Sequence, residues 1–264
     1  MKINNPYLKQ ASENSYGAEA TYSNVISNEN VASKKGISIK TLFTLLAAIV
    51  AGLIVSVYFN NVIHSTTLDS EQQAAILQKL IAYVIVVGIV DVVAAFVGRI
   101  FPGAARVCAP LYAVGEGSTI GLLCAIGELF VPGITIAAGA GTAVIFSVVF
   151  GMYALGAFKN INKILAIAIA YLVSILVISL GLFIMSLVAP AIQLPWGVLL
   201  AIEFLYLGYG CIMLVLDFYE ADMITKGGVD KKYEWTVVLG LLITVFYIFV
   251  ELFRIILILA SKKD

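Results

Sequence analysis

Glu116, Asp217 and Glu251 lie within or at the edge of hydrophobic runs long enough to cross a bilayer. An ionisable group at that depth costs at least ~2.5–3.5 kcal/mol on insertion scales, so it normally faces a protein interior or a water-filled path and carries function. Asp91, in the middle of another run, is costly on the same ground. Tyr112, Glu116 and Thr119 recur at i, i+4, i+7 and share one helical face. Glu203, Tyr206, Gly210 and Asp217 fall on one broad face of a later run, and Thr244, Tyr247, Glu251 and Arg254 form a third polar stripe. Three stripes predict a shared interior. Two cations could neutralise the acids, Arg99 and Arg254. Arg254 is three residues from Glu251, where a local pair forms easily, so Glu251 has a structural reading beside the functional one. Asp217 lies near Lys226, Lys231 and Lys232, where snorkelling and ordinary hydration are the alternative. Glu128 and Glu203 fit a solvated outer rim or the mouth of a path.

The composition places these residues in a membrane. Hydrophobic residues make up 61% of the 264, charged residues 12%, and the formal net charge is zero. With a mean hydropathy of +1.03 there is too little polar surface to cover a soluble globule of this length. The basic residues form short clusters beside apolar runs rather than a stripe, which argues against nucleic-acid binding. Cys108, Cys124 and Cys211 lack the paired spacing of a zinc site or a disulfide framework and suit buried small hydrophobes. His64, the one histidine, falls in a polar connection, so histidine-based metal centres and Ser-His-Asp chemistry have nothing to build on. The expectation is a chain that is not an enzyme and uses no cofactor.

Residues 1–38 are rich in Asn, Ser, Lys and Glu and cannot bury enough apolar surface to fold, so they are expected to be a disordered cytoplasmic tail with no cleavable signal peptide. Residues 39–264 then form the transmembrane domain. Spans are predicted at about 40–59, 79–98, 108–130, 134–157, 164–188, 197–217 and 235–259, each near the ~20 residues needed to cross ~30 Å of hydrocarbon. The expected fold is an all-α integral membrane protein, a seven-transmembrane-helix bundle. Phe130-Val-Pro-Gly133 predicts a tight reversal between the third and fourth spans. Lys and Arg accumulate on one side: Lys2, Lys9, Lys34, Lys35 and Lys40, then Arg99 and Arg106, Lys159 and Lys163, and Lys226, Lys231 and Lys232. The other side has Lys79, Lys262 and Lys263, so the amino terminus is assigned to the cytoplasm. Trp196 and Trp235 open the sixth and seventh spans, as interfacial indoles do. Gly115, Gly117 and Gly121 suit close helix packing. The nearly charge-free fourth and fifth spans suit scaffold, and no internal repeat is evident.

Three stretches resemble the Bax inhibitor-1 (transmembrane Bax-inhibitor-motif) family, in its bacterial YccA-like branch. They are Ala109-Pro-Leu-Tyr-Ala-Val-Gly-Glu-Gly-Ser-Thr-Ile-Gly121, Leu214-Val-Leu-Asp217-Phe-Tyr-Glu-Ala-Asp-Met-Ile224, and the last span from Tyr233-Glu-Trp235 to Val250-Glu251-Leu-Phe-Arg254. Asn5-Pro6-Tyr7-Leu8 is similar to segments preceding the first span in that branch. The resemblance implies a central helix ringed by the others and a pH-sensitive calcium leak gated by two acids on the last two helices. Asp217 matches the first acid. The second is Glu251 by its Val-Glu-Leu setting, or is replaced by Val245 if the alignment is fixed on Arg254. Arg99 is similar to the family's basic residue that pairs with one acid in a closed state.

Two carboxylates held close in low dielectric cannot both ionise cheaply and share a proton. Losing that proton adds charge that favours Ca²⁺, which takes oxygen ligands, so proton and calcium compete. The expected function is therefore a pH-sensitive cation leak channel or exchanger in a bacterial plasma (inner) membrane. Asp217 and Glu251 would be its gate and transient Ca²⁺ ligands, with Glu116, Asp91, Arg99 and Arg254 as interior polar contacts. The alternative is a regulatory membrane protein whose tail docks a membrane protease or a stress-response partner. An intramembrane protease lacks its pairing of Tyr-Asp with Gly-x-Gly-Asp here.

Overall fold

A computed structural model describes residues 31–64, 70–158, 160–188 and 194–261. It contains seven long helices: α1 (Lys34–His64), α2 (Ser70–Ile100), α3 (Ala105–Phe130), α4 (Ile134–Ala154), α5 (Ile161–Val188), α6 (Trp196–Lys226) and α7 (Tyr233–Ala260). All seven are long and apolar enough to cross a membrane. Among the described residues there is no β-strand, only an isolated antiparallel bridge between Val31 and Asp230. The fold is thus the expected all-helical, seven-span membrane protein. The most apolar stretch of α3 is 50% buried and that of α7 44%, against 6% in α5. The first two supply interior surface, whereas α5 turns Leu172, Leu176, Leu180 and Phe183 outward, as lipid contact requires.

Several helices outrun their predicted spans because polar residues extend a helix beyond the hydrocarbon wherever partners satisfy them. Residues 34–38, assigned to the tail, form the first turn of α1, and α1 reaches His64. Helix α6 continues nine residues past Asp217 to Lys226, so the acidic stretch after Asp217 is helical. The reversal at Val131–Gly133 is present, with Gly133 at φ 84°, a left-handed conformation that suits glycine. Most of the tail, Lys159, Lys262 and Lys263 lie outside the described residues.

The chain divides into two compact units. The first comprises residues 1–126 and 220–243. Within it α1 meets α3 at very short range: a Cβ on Gly117 would strike the Ala48 backbone, and one on Gly121 the Gly52 backbone. Small residues let helix backbones approach this closely in a membrane. Further along the same pair of helices, Phe59, Leu122 and Ala125 form a buried apolar cluster with Val55, Leu80, Tyr83 and Ile126 against it.

The second unit comprises residues 127–219 and 244–264. Phe218 packs edge-on against Phe146 and Phe150, with ring centroids 5.4 and 5.3 Å away. Gly127 makes room for the Phe253 ring, and Gly210 for Tyr247 and Ile248. Glu128 accepts hydrogen bonds from the Gly133 and Thr135 N–H groups at 2.6 and 3.0 Å. This caps the start of α4, where four N–H groups lack intrahelical partners. Glu128 is therefore a helix cap, rather than a merely hydrated rim residue.

Candidate functional site

In the second unit the polar stripe of α6 meets the polar stripe of α7 residue by residue. Asp217, 3% exposed, accepts a 2.5 Å hydrogen bond from the Thr244 hydroxyl. The Tyr247 hydroxyl donates to the Tyr206 carbonyl at 3.1 Å. Arg254 Nη2 holds Glu203 Oε1 at 2.8 Å, and its Nη1 lies 3.5 Å from Glu251 Oε1. Arg254 also stands over the Tyr206 ring, 5.9 Å from its centroid. The periodicities in the sequence thus located two faces that do pair, because a polar stripe on an otherwise apolar helix can only be satisfied by another.

The pairing within that zipper departs from expectation. Asp217 is bonded to Thr244 while Glu251 reaches toward Arg254, and Thr244 and Glu251 are seven residues apart on α7, about 10 Å of helix axis. The structure therefore places the two expected gate acids at different levels. The carboxyl groups of Glu251 and Glu203 share one guanidinium, that of Arg254. Glu203 was assigned to a hydrated rim, but it is 5% exposed and Glu251 is 3% exposed. Beyond the atoms that Arg254 holds, Glu203 Oε2 and Glu251 Oε2 are buried with no donor. One guanidinium thus stands between two buried carboxyl groups. Nor is Asp217 a hydrated interfacial residue: Lys226, expected to stand near it, pairs instead with Asp222 at 2.9 Å.

In the first unit Arg99 pairs with Glu220 of α6. Its Nη1 donates to both carboxyl oxygens of Glu220 at 3.0 Å. Sequence reasoning missed Glu220 because it treated the residues after Asp217 as a connection. It also missed Glu234, which is fully buried in the first turn of α7. Glu234 accepts from the Ser33 N–H at 2.7 Å and from Lys40 Nζ at 2.5 Å, and Lys40 also lies over the Trp235 ring. An acid near a helix N-terminus with a lysine at the head of an apolar span was the available signal. Ala32 N–H donates to the Val229 carbonyl at 2.8 Å, and Lys34 pairs with Asp222, so residues 31–40 are strapped to the α6–α7 turn.

Asp91 and Glu116 lie in the same unit, with Tyr112 as a further ionisable neighbour. Asp91 is 3% exposed, and Glu116 is half-buried. Thr119 donates back to the Gly115 carbonyl at 3.3 Å, while Ser118 accepts from the Tyr83 hydroxyl at 2.5 Å. Thr119, of the expected face, thus bonds back onto α3, and the hydroxyl contact to α2 is made by Ser118, one position away from that face.

Among the described residues no group of three or more His, Cys, Asp or Glu could hold a metal ion. A divalent ion would find one carboxyl group at Asp217 and two at the Arg254 level, Glu203 and Glu251, and would need oxygens from elsewhere at either.

No curated protein and no solved structure matches the chain. The profile of the family described as Bax inhibitor 1 like matches residues 5–261. That match takes in all seven spans together with both sets of buried acids, and the chain belongs to the Bax inhibitor 1 like family.

Proposed function

We propose that this membrane protein is a proton-modulated cation leak or exchanger, with Ca²⁺ as the favoured ion and Asp217 and Glu251 at its gate. The α6–α7 zipper carries the reading: three buried carboxyl groups on two facing helices, held by a threonine hydroxyl and a guanidinium. Carboxyl groups held this way are bistable. Protonated, they bond across the seam and lock the helices; ionised, they repel one another and offer hard oxygen ligands to a cation. Glu203 joins the gate in this reading as the acid that shares Arg254 with Glu251. The orientation with the amino terminus in the cytoplasm, the bacterial plasma membrane and the YccA-like branch belong to the same proposal.

The test is Ca²⁺ flux into liposomes carrying the purified protein, measured across pH for the parent, Asp217→Asn and Glu251→Gln. Either substitution is expected to displace the flux-versus-pH curve, because each removes a titratable group from the seam. Curves superimposable on the parent's would remove the gate assignment. A regulatory reading is favoured by the strap of residues 31–40, which fixes the point where the tail leaves the membrane domain. Deleting residues 1–30 separates the two: loss of a captured membrane partner with flux intact supports regulation.

A further inference from the structure

We infer that Asp91 and Glu116 form a buried proton-binding site in the first unit, separate from the α6–α7 zipper, with Asp91 carrying the proton. The inference stands whether or not the protein passes ions, because it concerns occupancy of the site and not flux.

Asp91 lies in the middle of α2, and neither of its carboxyl oxygens has a hydrogen-bond partner. An ionised carboxylate buried without donor or cation is among the most costly groups a protein can hold, and it escapes that cost by binding a proton. The surroundings offer no other escape. The ionisable groups acting on Asp91 are Glu116 and Tyr112, both of which become negative on ionisation. The cations of this unit that carry ion pairs are engaged elsewhere: Arg99 with Glu220, Lys40 with Glu234, Lys34 and Lys226 with Asp222, and Lys232 with Asp230. Arg99 is also eight residues along α2 from Asp91, about 12 Å of axis. Lys79 is twelve residues away in the other direction, about 18 Å.

The site has a shaped seat. A Cβ at Gly115 would collide with the Asp91 carboxyl group, so the glycine leaves the space that the carboxyl occupies. This aims Asp91 at the α3 backbone one residue from Glu116. The neighbouring Ser118 is already engaged, donating to the Gly115 carbonyl at 2.6 Å and accepting from Tyr83. Glu116, the residue after Gly115 on α3, is the more exposed of the two acids, half-buried where Asp91 is sealed. The ligand class is therefore the proton itself, bound at an acidic pair with no resident cation.

The experiment uses the full chain in lipid at neutral pH with dicyclohexylcarbodiimide, an apolar reagent that modifies protonated, membrane-buried carboxyl groups, followed by mass spectrometry of the peptides. An adduct at Asp91 is expected, with Glu234 unmodified as the internal control because Lys40 and the Ser33 N–H occupy its oxygens. An adduct at Glu203 or Glu251 with Asp91 and Glu116 untouched would overturn the inference. So would protection of Asp91 by Ca²⁺ or Na⁺ at constant pH, since a metal ion would then be the occupant. Infrared spectroscopy gives an independent reading. A protonated-carboxyl band present in the parent and lost in Asp91→Asn supports the site, and a band that survives the substitution unchanged overturns it.

Discussion

Asp91 and Asp217 are buried to the same extent, 3% exposed, yet the two units treat them differently. In the second unit Asp217 has a hydroxyl donor, and the acids further along the seam share Arg254. In the first unit Asp91 has no donor and only acidic neighbours, although the same unit holds Glu234 with a lysine, a serine hydroxyl and a backbone N–H around it. Burial alone therefore does not distinguish a structural acid from a working one; what neutralises it does. A carboxylate with a dedicated cation is fixed in one charge state. One that depends on a proton can change state, and such a group can respond to pH.

The largest effect is expected where a cation is dedicated. Lys40→Met leaves Glu234, which is wholly buried, without its partner, and breaking a buried pair from one side costs about 3–5 kcal/mol. Thermal unfolding of the detergent-solubilised protein should show it as a marked loss, and an unchanged midpoint would place Glu234 among the proton-dependent acids instead. Arg254→Met is expected to cost less, about 1–3 kcal/mol, because the arginine side chain is 46% exposed and solvent screens much of the pair. It should also raise carbodiimide labelling at Glu203 and Glu251, since protons must then replace the guanidinium. That outcome would make the second unit resemble the first.

How much of this was legible beforehand divides along the same line. The seven spans follow from run length and hydropathy, and the faces of α6 and α7 follow from i, i+3 and i+7 spacing, so both could be read without coordinates. The partners could not. Periodicity says which residues share a face and nothing about which opposite residue each will meet, so Glu251 was matched to Asp217 when it shares Arg254 with Glu203. Glu220, which pairs with Arg99, was missed because the residues after Asp217 had been placed in a connection. Helix ends depend on whether charged side chains find partners, as Lys34 and Lys226 do with Asp222, and hydropathy is blind to that. Gly115 was read as packing alone. Its second role, leaving space for a carboxyl group, exists only once α2 is in place.

Thr244→Val sharpens the contrast from the other side. It keeps the shape of the side chain and removes the donor to Asp217, leaving a buried acceptor unsatisfied at a cost of about 1–3 kcal/mol. Thr244→Ser, which restores the hydroxyl, should recover most of that loss. A valine variant as stable as the parent would show that Asp217 is held by its other contacts, and the zipper would then begin at Tyr247.

The smallest effect is expected at the most deeply isolated acid. Asp91→Asn replaces a carboxyl group with an amide of nearly the same shape. If Asp91 already carries a proton, the substitution removes no charge and breaks no ion pair, so stability should move by no more than about 0.5 kcal/mol, the range of substitutions that disturb no specific contact. Gly115→Ala is the control for the seat, since its Cβ would press on the Asp91 carboxyl group and should destabilise by about 1–3 kcal/mol through overpacking. Combining the two should not relieve the clash, because asparagine fills the same space. A large loss from Asp91→Asn alone, with the alanine variant silent, would mean that the charge and not the volume of Asp91 is what the first unit requires. The distinction between the two aspartates would then disappear.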